Sequence, residues 1–134
     1  GAHYTWDAAM NGEAAGGQVQ GIAPDGWHIP DRAEWKALND WLKIDGNGGT
    51  GTNVPNKIRG EDSQSGFDAL YAGNWGYGVF TGELGAFWTS SEYLDGEGEP
   101  TGEAYYRLVN QLPLLGEGHD IKEKGLSIRL VMDK

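Results

Sequence analysis

The sequence contains no cysteine in its 134 residues. The chain therefore forms no disulfide bond, supplies no thiolate to a metal ion and has no thiol nucleophile. Long apolar runs are absent too, because no stretch approaches the roughly 20 apolar residues that a membrane-spanning helix needs. We therefore expect no membrane insertion.

Basic residues are scarce. Ten Lys and Arg stand against twenty Asp and Glu, and the net charge is −10. A protein that binds nucleic acid neutralises phosphates with a surface rich in Lys and Arg, so this composition argues against such a partner. It favours calcium as a candidate ligand instead, since this cation prefers clustered oxygen atoms.

Glycine and aromatic residues are abundant. The chain has 23 Gly, together with six Trp, six Tyr and three Phe. Glycine at this frequency is typical of a backbone with many tight turns and positive φ angles. The large rings supply the apolar surface that holds such loops in place. The length fits a single domain, which we assign to residues 1–134.

Two helices are predicted. Residues 6–11 follow Thr5, a good N-cap residue. Residues 32–44 follow Asp31, which has capping-box spacing to Glu34. The second helix has one apolar face, predicted to lie in the core and formed by Trp35, Leu38, Trp41 and Leu42.

Later segments predict an antiparallel sheet. Residues 86–93, 104–110 and 126–132 have the composition of strands, and the last of them alternates apolar and polar side chains. The glycine-rich residues 45–53 and the acidic residues 94–103 are expected to form exposed loops. Helices that precede antiparallel strands indicate the α+β class.

Several motifs resemble those of a known family. They are Gly-Ile-Ala-Pro-Asp-Gly-Trp-His-Ile-Pro at 21–30 with Glu-Trp at 34–35, Gly-Phe-Asp-Ala-Leu-Tyr-Ala-Gly at 66–73, Phe-Trp-Thr-Ser-Ser-Glu at 87–92 and Gly-Leu-Ser-Ile-Arg-Leu-Val at 125–131. In order and spacing the chain is similar to the Fibrobacter succinogenes major paralogous domain family, found on surface and secreted proteins of bacteria. The resemblance implies an extracellular or cell-surface location. It also implies a C-type lectin-like fold, with two helices, a small, mainly antiparallel twisted sheet and long irregular loops.

The chain departs from this family in three ways, one of which is a more acidic loop at residues 95–103. The family usually has Cys at the positions of Ala23 and Leu130, so the resemblance implies that an apolar pair replaces a disulfide here. Members also usually carry an N-terminal strand, and this sequence begins after it. We expect either that a neighbouring polypeptide or another part of a longer chain supplies that strand, or that it has been trimmed.

The sequence gives no support to an enzyme. The family's fold also occurs in formylglycine-generating enzymes, whose activity needs reactive cysteines. Related iron-dependent enzymes need a histidine cluster, whereas His3, His28 and His119 are far apart in the sequence. Ser90 and Ser91 have no nucleophile elbow around them. We therefore expect no catalytic residues.

Aromatic side chains in the second half of the chain are the candidate ligand contacts. Aromatic rings stack on sugars and anchor protein interfaces. The alternative is that some of these rings belong to the core. The candidates are Trp75, Tyr77, Tyr93 and Tyr105.

The acidic segment is the candidate metal site. Its Glu-Pro-Thr at 99–101 resembles the Glu-Pro-Asn element with which sugar-binding C-type lectins hold calcium and a hexose. A solvated loop is the alternative for the same residues. The candidate calcium ligands are Asp95, Glu97 and Glu99.

These inferences favour a non-enzymatic extracellular module for binding or adhesion, which recognises carbohydrate or protein. The alternative is a structural subunit of a surface assembly, completed by strand exchange with a neighbour. Neither function requires a cofactor other than the candidate calcium ion.

Overall fold

A three-stranded antiparallel sheet separates two apolar cores. The computed structural model describes residues 2–60, 63, 65–70, 72–76, 79–81, 85–109 and 116–134. The helices and strands in these ranges are α1 Trp6–Met10, β1 Trp27–His28, α2 Arg32–Leu42, α3 Val54–Ile58, β2 Asn74–Gly76, β3 Val79–Thr81, β4 Gly85–Leu94, β5 Pro100–Val109, β6 Gly116–Ile121 and β7 Val131–Met132.

All strand pairs in the described sheets are antiparallel. The main sheet has the order β4-β5-β6, and two small ribbons pair β1 with β7 and β2 with β3. The α+β class is therefore confirmed. The predicted number of helices was too low, because the described residues form three rather than two.

Neighbouring residues of β4 enter different cores, because side chains alternate along a strand. Trp88 lies on the α1 side of the sheet and Phe87 on the α2 side, and both are buried. The α1 side is completed by Trp6, Ala9, Met10, Val19, Ile29, Ala86, Ala104 and Leu126. The α2 side is completed by Trp35, Leu42, Val54, Ile58, Ala69 and Val109. One sheet thus serves both cores.

Both predicted helices begin at their predicted caps. The hydroxyl of Thr5 accepts a hydrogen bond from the backbone N–H of Ala8 at 3.3 Å. At α2, a carboxylate oxygen of Asp31 accepts from the N–H of Glu34 at 2.8 Å, and Glu34 accepts from the N–H of Asp31 at 3.0 Å. This pair of bonds is the predicted capping box. The helix ends at Leu42, earlier than predicted.

The apolar face of α2 is narrower than predicted. Trp35 and Leu42 are buried and Leu38 is half-buried, but Trp41 is 50% exposed. With 3.6 residues per turn, Trp41 lies about 120° around the helix axis from Trp35. The assignment of Trp41 to the core was therefore wrong.

The third helix caps the second. α3 begins after Asn53, whose side chain accepts a hydrogen bond from the N–H of Asn56 at 3.3 Å. The ammonium group of Lys57, which is only 1% exposed, donates to the carbonyl oxygens of Leu42 at 2.6 Å and Ile44 at 2.7 Å. Carbonyls at the end of a helix have no partner within the helix. Lys57 therefore provides a donor for Leu42 and a second one for Ile44, whose carbonyl oxygen also accepts from the N–H of Asn47 at 3.2 Å.

The predicted strands are confirmed in part. β4 and β5 contain most of the predicted 86–93 and 104–110, and the acidic loop shrinks to a hairpin tip at 95–99. Within 126–132 the only regular strand is β7. The patterns do not predict β6, since its sequence Gly-Glu-Gly-His-Asp-Ile is poor in strand-forming residues.

The described helices are short. The longest, α2, has 11 residues, and none of the helices in the described ranges is long and apolar enough to cross a membrane.

Candidate functional site

The α2 side of the main sheet is only partly covered. α2 and α3 cover Phe87 and Val109. Further along the strands, the same side carries Tyr93 on β4, Tyr105 on β5 and His119 on β6, which are half-buried or exposed. Tyr105 lies directly opposite His119 in the strand register. We refer to Tyr93, Tyr105 and His119 as the aromatic face.

The three rings of the aromatic face pack on one another. Tyr93 and His119 are stacked, with centroids 3.6 Å apart and planes within 4° of parallel. The Tyr105 ring meets both edge-on, at 5.4 Å from Tyr93 and 6.0 Å from His119. The guanidinium carbon of Arg32 lies 3.7 Å from the Tyr105 centroid, a cation–π contact. These contacts fix the rings in place before any ligand arrives.

A charged group borders the aromatic face where α2 begins. The carboxylate of Glu117 accepts hydrogen bonds from Arg32 at 2.6 and 3.3 Å and contacts Arg107 at 2.9 Å. The hydrogen bond from Arg32, helped by the charge of Arg107, lowers the pKa of Glu117 despite its partial burial. The same bond raises the pKa of Arg32, whereas burial lowers the pKa of Arg107. Glu117 is therefore a fixed anion, suited to accept hydrogen bonds rather than to transfer protons.

A second carboxylate lies at the edge of the rings. Glu103 is 3.3 Å from Nδ1 of His119 and lies opposite Tyr93 in the strand register. Ring surfaces flanked by carboxylate oxygens can hold a ligand that has both apolar C–H groups and hydroxyl or amide donors.

The structure brings Tyr93 and Tyr105 together, as a shared site requires, but places the segment of Trp75 elsewhere. Only the backbone of Trp75 is described, and it belongs to β2. The preceding residue, Asn74, lines a small cavity of about 100 Å³ with side chains of the α1 side, including Tyr106. β2 therefore runs beside the opposite side of the sheet. Tyr77 lies outside the described residues.

The acidic hairpin tip uses one of its carboxylates internally. Asp95 accepts hydrogen bonds from the N–H groups of Glu97 at 2.8 Å and Glu99 at 3.0 Å. The bonds from Glu99 and Glu97 lower the pKa of Asp95. In the described part of the chain, no three His, Asp or Glu side chains are grouped so as to hold a metal ion. Calcium binding by Asp95, Glu97 and Glu99 stays a prediction.

Sequence reasoning missed three members of this site: Arg32, Glu117 and His119. Their position depends on the register of β6 against β5 and on where α2 begins relative to the sheet. The α2 cap was readable from the sequence, so Arg32 could have been placed at a helix N-terminus. No local pattern marks the other two.

A buried histidine ties the C-terminal residues to α2. His28 is 4% exposed and lies between two carboxylates, with Nε2 2.7 Å from Glu34 and Nδ1 2.6 Å from Asp133. Burial works against its protonation, but the hydrogen bonds to Glu34 and Asp133 outweigh that effect and raise its pKa above 6.5. These bonds give His28 a structural role in the described fold.

A known bacterial family matches nearly the whole chain. The model of the Fibrobacter succinogenes major domain covers residues 1–132, and thus the motifs from 21 to 131. The chain matches none of the curated proteins and none of the solved structures compared with it. The predicted family is confirmed by the extent of the match: this chain belongs to the Fibrobacter succinogenes major domain family.

Proposed function

We propose that this chain is a non-enzymatic extracellular module with a C-type lectin-like fold, and that it recognises carbohydrate or protein through the aromatic face. The observation that carries the proposal is the packing of Tyr93, Tyr105 and His119 beyond the part of the sheet that the apolar residues of α2 and α3 cover, with Arg32 over one ring. Pre-packed rings bind at low entropic cost, because little side-chain freedom is left to lose.

The surroundings of the rings suit polar ligands with apolar faces. A pyranose ring offers C–H groups to Tyr93 and Tyr105 and hydroxyl donors to Glu103 and Glu117. A protein segment with amide donors offers the same combination. The half-exposed rings stand on a sheet surface, which suits a ligand that lies flat rather than one that is enclosed.

Glu117 and the two serines near the rings are not placed for catalysis. Glu117 is held as an anion by two arginines. Ser91 accepts a hydrogen bond from the N–H of Arg32 at 3.1 Å, and Ser90 is 2% exposed. General acid–base catalysis needs a group whose pKa lies near the working pH and whose proton can be exchanged with substrate, and neither serine nor Glu117 fits that role.

A glycan array followed by calorimetry tests the proposal. Tyr93→Ala and Tyr105→Ala are each expected to weaken binding by about ten-fold or more, the loss of about 1.4 kcal/mol that one stacked ring contributes. Trp41→Ala is the matched control, because it removes an aromatic ring that is 50% exposed on α2.

Calorimetry with calcium and with a chelator gives the second comparison. A ligand whose affinity falls on chelation would support the predicted role of Asp95, Glu97 and Glu99. Equal affinities would remove calcium from the proposal without affecting the aromatic face. The proposal fails if the control variant loses as much affinity as the tyrosine variants, or if no ligand on the array binds.

The free edge of β6 favours a second candidate, a structural subunit of a surface assembly. β6 pairs with β5 and has no described strand on its other side. An edge strand presents main-chain N–H and C=O groups to which a neighbour's strand can be added. Light scattering over a range of concentrations tests this candidate, and a monomer of about 14.5 kDa at every concentration would contradict it.

A further inference from the structure

An open groove separates α2 from the segment that leads into β7. Its volume is about 460 Å³, within the range of small-molecule sites in proteins. It shares no lining residue with the aromatic face and is therefore a second, separate surface. Its apolar wall is formed mainly by Pro30, Trp35, Leu38, Phe67, Leu130 and Val131.

The groove contains two basic side chains that form no ion pair with the carboxylates of the described residues. The guanidinium of Arg129 lies 4.3 Å from the centroid of Phe67, and Lys134 lines the same groove. Neither makes an ion pair or a hydrogen bond with a described residue. Most described cations in this acidic chain do make ion pairs, namely Arg32, Lys36, Lys43, Arg107, Lys122 and Lys124.

The acidic side chain that lines the groove is already engaged. One carboxylate oxygen of Glu34 is bonded to His28, and the other accepts from the N–H of Asp31. Both oxygens of Glu34 are thus already used, one by His28 and the other by the α2 cap. An apolar groove with a half-buried guanidinium that has no ion pair among the described residues is complementary to an anion with an apolar body.

We propose that this groove binds a small carboxylic acid with an aromatic or branched apolar body. The carboxylate pairs with Arg129, whose planar fork matches the two oxygens of that group. The apolar body lies against Leu38 and Phe67 and is removed from water there. The inference is independent of the aromatic face and adds a ligand class to the domain.

Amide chemical shifts of the full chain test the inference, with 3-phenylpropionate as the probe. The neutral 3-phenylpropan-1-ol keeps the ring without the charge, and acetate keeps the charge without the ring. We expect the acid to shift amides around the groove, the alcohol to bind about ten-fold more weakly, and acetate to give no saturable shift. Equal affinity of acid and alcohol, or shifts confined to the aromatic face, would overturn the proposal.

Two further measurements isolate the charge. Arg129→Met is expected to reduce the affinity for the acid to that for the alcohol, whereas Lys36→Met, on the exposed side of α2, leaves it unchanged. Because Arg129 packs on Phe67, the substitution can also disturb folding. The unmodified chain therefore provides a second readout. Raising the salt concentration from about 50 to 500 mM is expected to weaken binding of the acid but not binding of the alcohol. A salt effect of equal size on both probes would contradict the role of Arg129.

Discussion

The Nδ1 atom of His28 lies 2.6 Å from a carboxylate oxygen of Asp133, although 105 positions separate the two residues. The other ring nitrogen contacts Glu34 in α2. The imidazole thus joins β1, the helix cap and the residues after β7 in one cluster. Its protonation state decides how strongly these three elements are held together.

Stability is expected to fall as the pH rises above neutrality. The folded-state pKa of His28 is raised above 6.5, so its contribution is fully present below the unfolded value and is lost as the pH rises through the folded value. Melting temperatures measured from about pH 6 to pH 9 check this. His28→Gln should make the melting temperature depend less on pH. His119→Gln, which removes an exposed histidine, should leave that dependence unchanged. An unchanged slope in His28→Gln would show that the cluster does not set the pH dependence.

Lys57→Met is expected to destabilise the fold by about 1–3 kcal/mol, because it removes the ammonium donor from the buried carbonyl oxygen of Leu42 and one of the two donors from that of Ile44. The aliphatic part of the side chain is retained, so packing changes little. Urea denaturation measures the loss. Lys36→Met is the control, since its side chain is 71% exposed, and it should change stability by less than about 0.5 kcal/mol. Equal stability of the two variants would mean that burying the ammonium costs as much as its bonds contribute.

Glu117→Gln is expected to lower the free energy of unfolding by about 1–2 kcal/mol, because it leaves the largely buried Arg107 without its anion and close to Arg32. This figure is smaller than for a fully buried pair, since Glu117 and Arg32 are partly exposed. The pKa of Glu117 is lowered from 4.5, so its contribution is present above that value and is lost as the pH falls through the folded value. Unfolding curves should therefore separate the variant from the parent near neutrality and converge in acid. A constant difference at every pH would contradict the ion pair as the cause.

Gly21→Ala is expected to cost about 3 kcal/mol or more, from crowding and an unfavourable backbone together. Gly21 has φ +55°, and a Cβ there would lie 2.2 Å from the carbonyl oxygen of Ala9. Gly12→Ala is the control, because Gly12 also has a positive φ, +82°, but nothing lies within 4 Å of an added Cβ. It should lose only about 1–2 kcal/mol. Thermal unfolding distinguishes the two, and similar losses would argue against crowding at Gly21.

Local rules predicted the elements that local chemistry determines. The caps at Thr5 and Asp31 placed the starts of α1 and α2, and the apolar residues of β4 and β5 marked two strands of the main sheet. β6 could not be found in this way, because its glycines and charges favour a strand only when β5 is already beside it. α3 has five residues, too few for a helical period to be visible.

The candidate site also has parts that the local sequence predicts and parts that depend on the assembled fold. Tyr93 and Tyr105 are predicted as ligand contacts because aromatic rings stack on sugars and anchor interfaces, but the sequence does not distinguish rings on the surface from rings in the core. Their grouping with His119 and Arg32 depends on strand register and on the position of a helix end, which are properties of the assembled fold. The segment of Trp75 belongs to the separate β2-β3 ribbon, beside the opposite side of the main sheet.

The division of the sheet between two cores has a practical consequence. Neither core includes Tyr93, Tyr105 or His119. Positions 93, 103, 105 and 119 can therefore be randomised together in a display library while the cores keep every side chain they now have. The domain is therefore a suitable scaffold for selecting new binders, because its binding residues can be changed without changing its core residues.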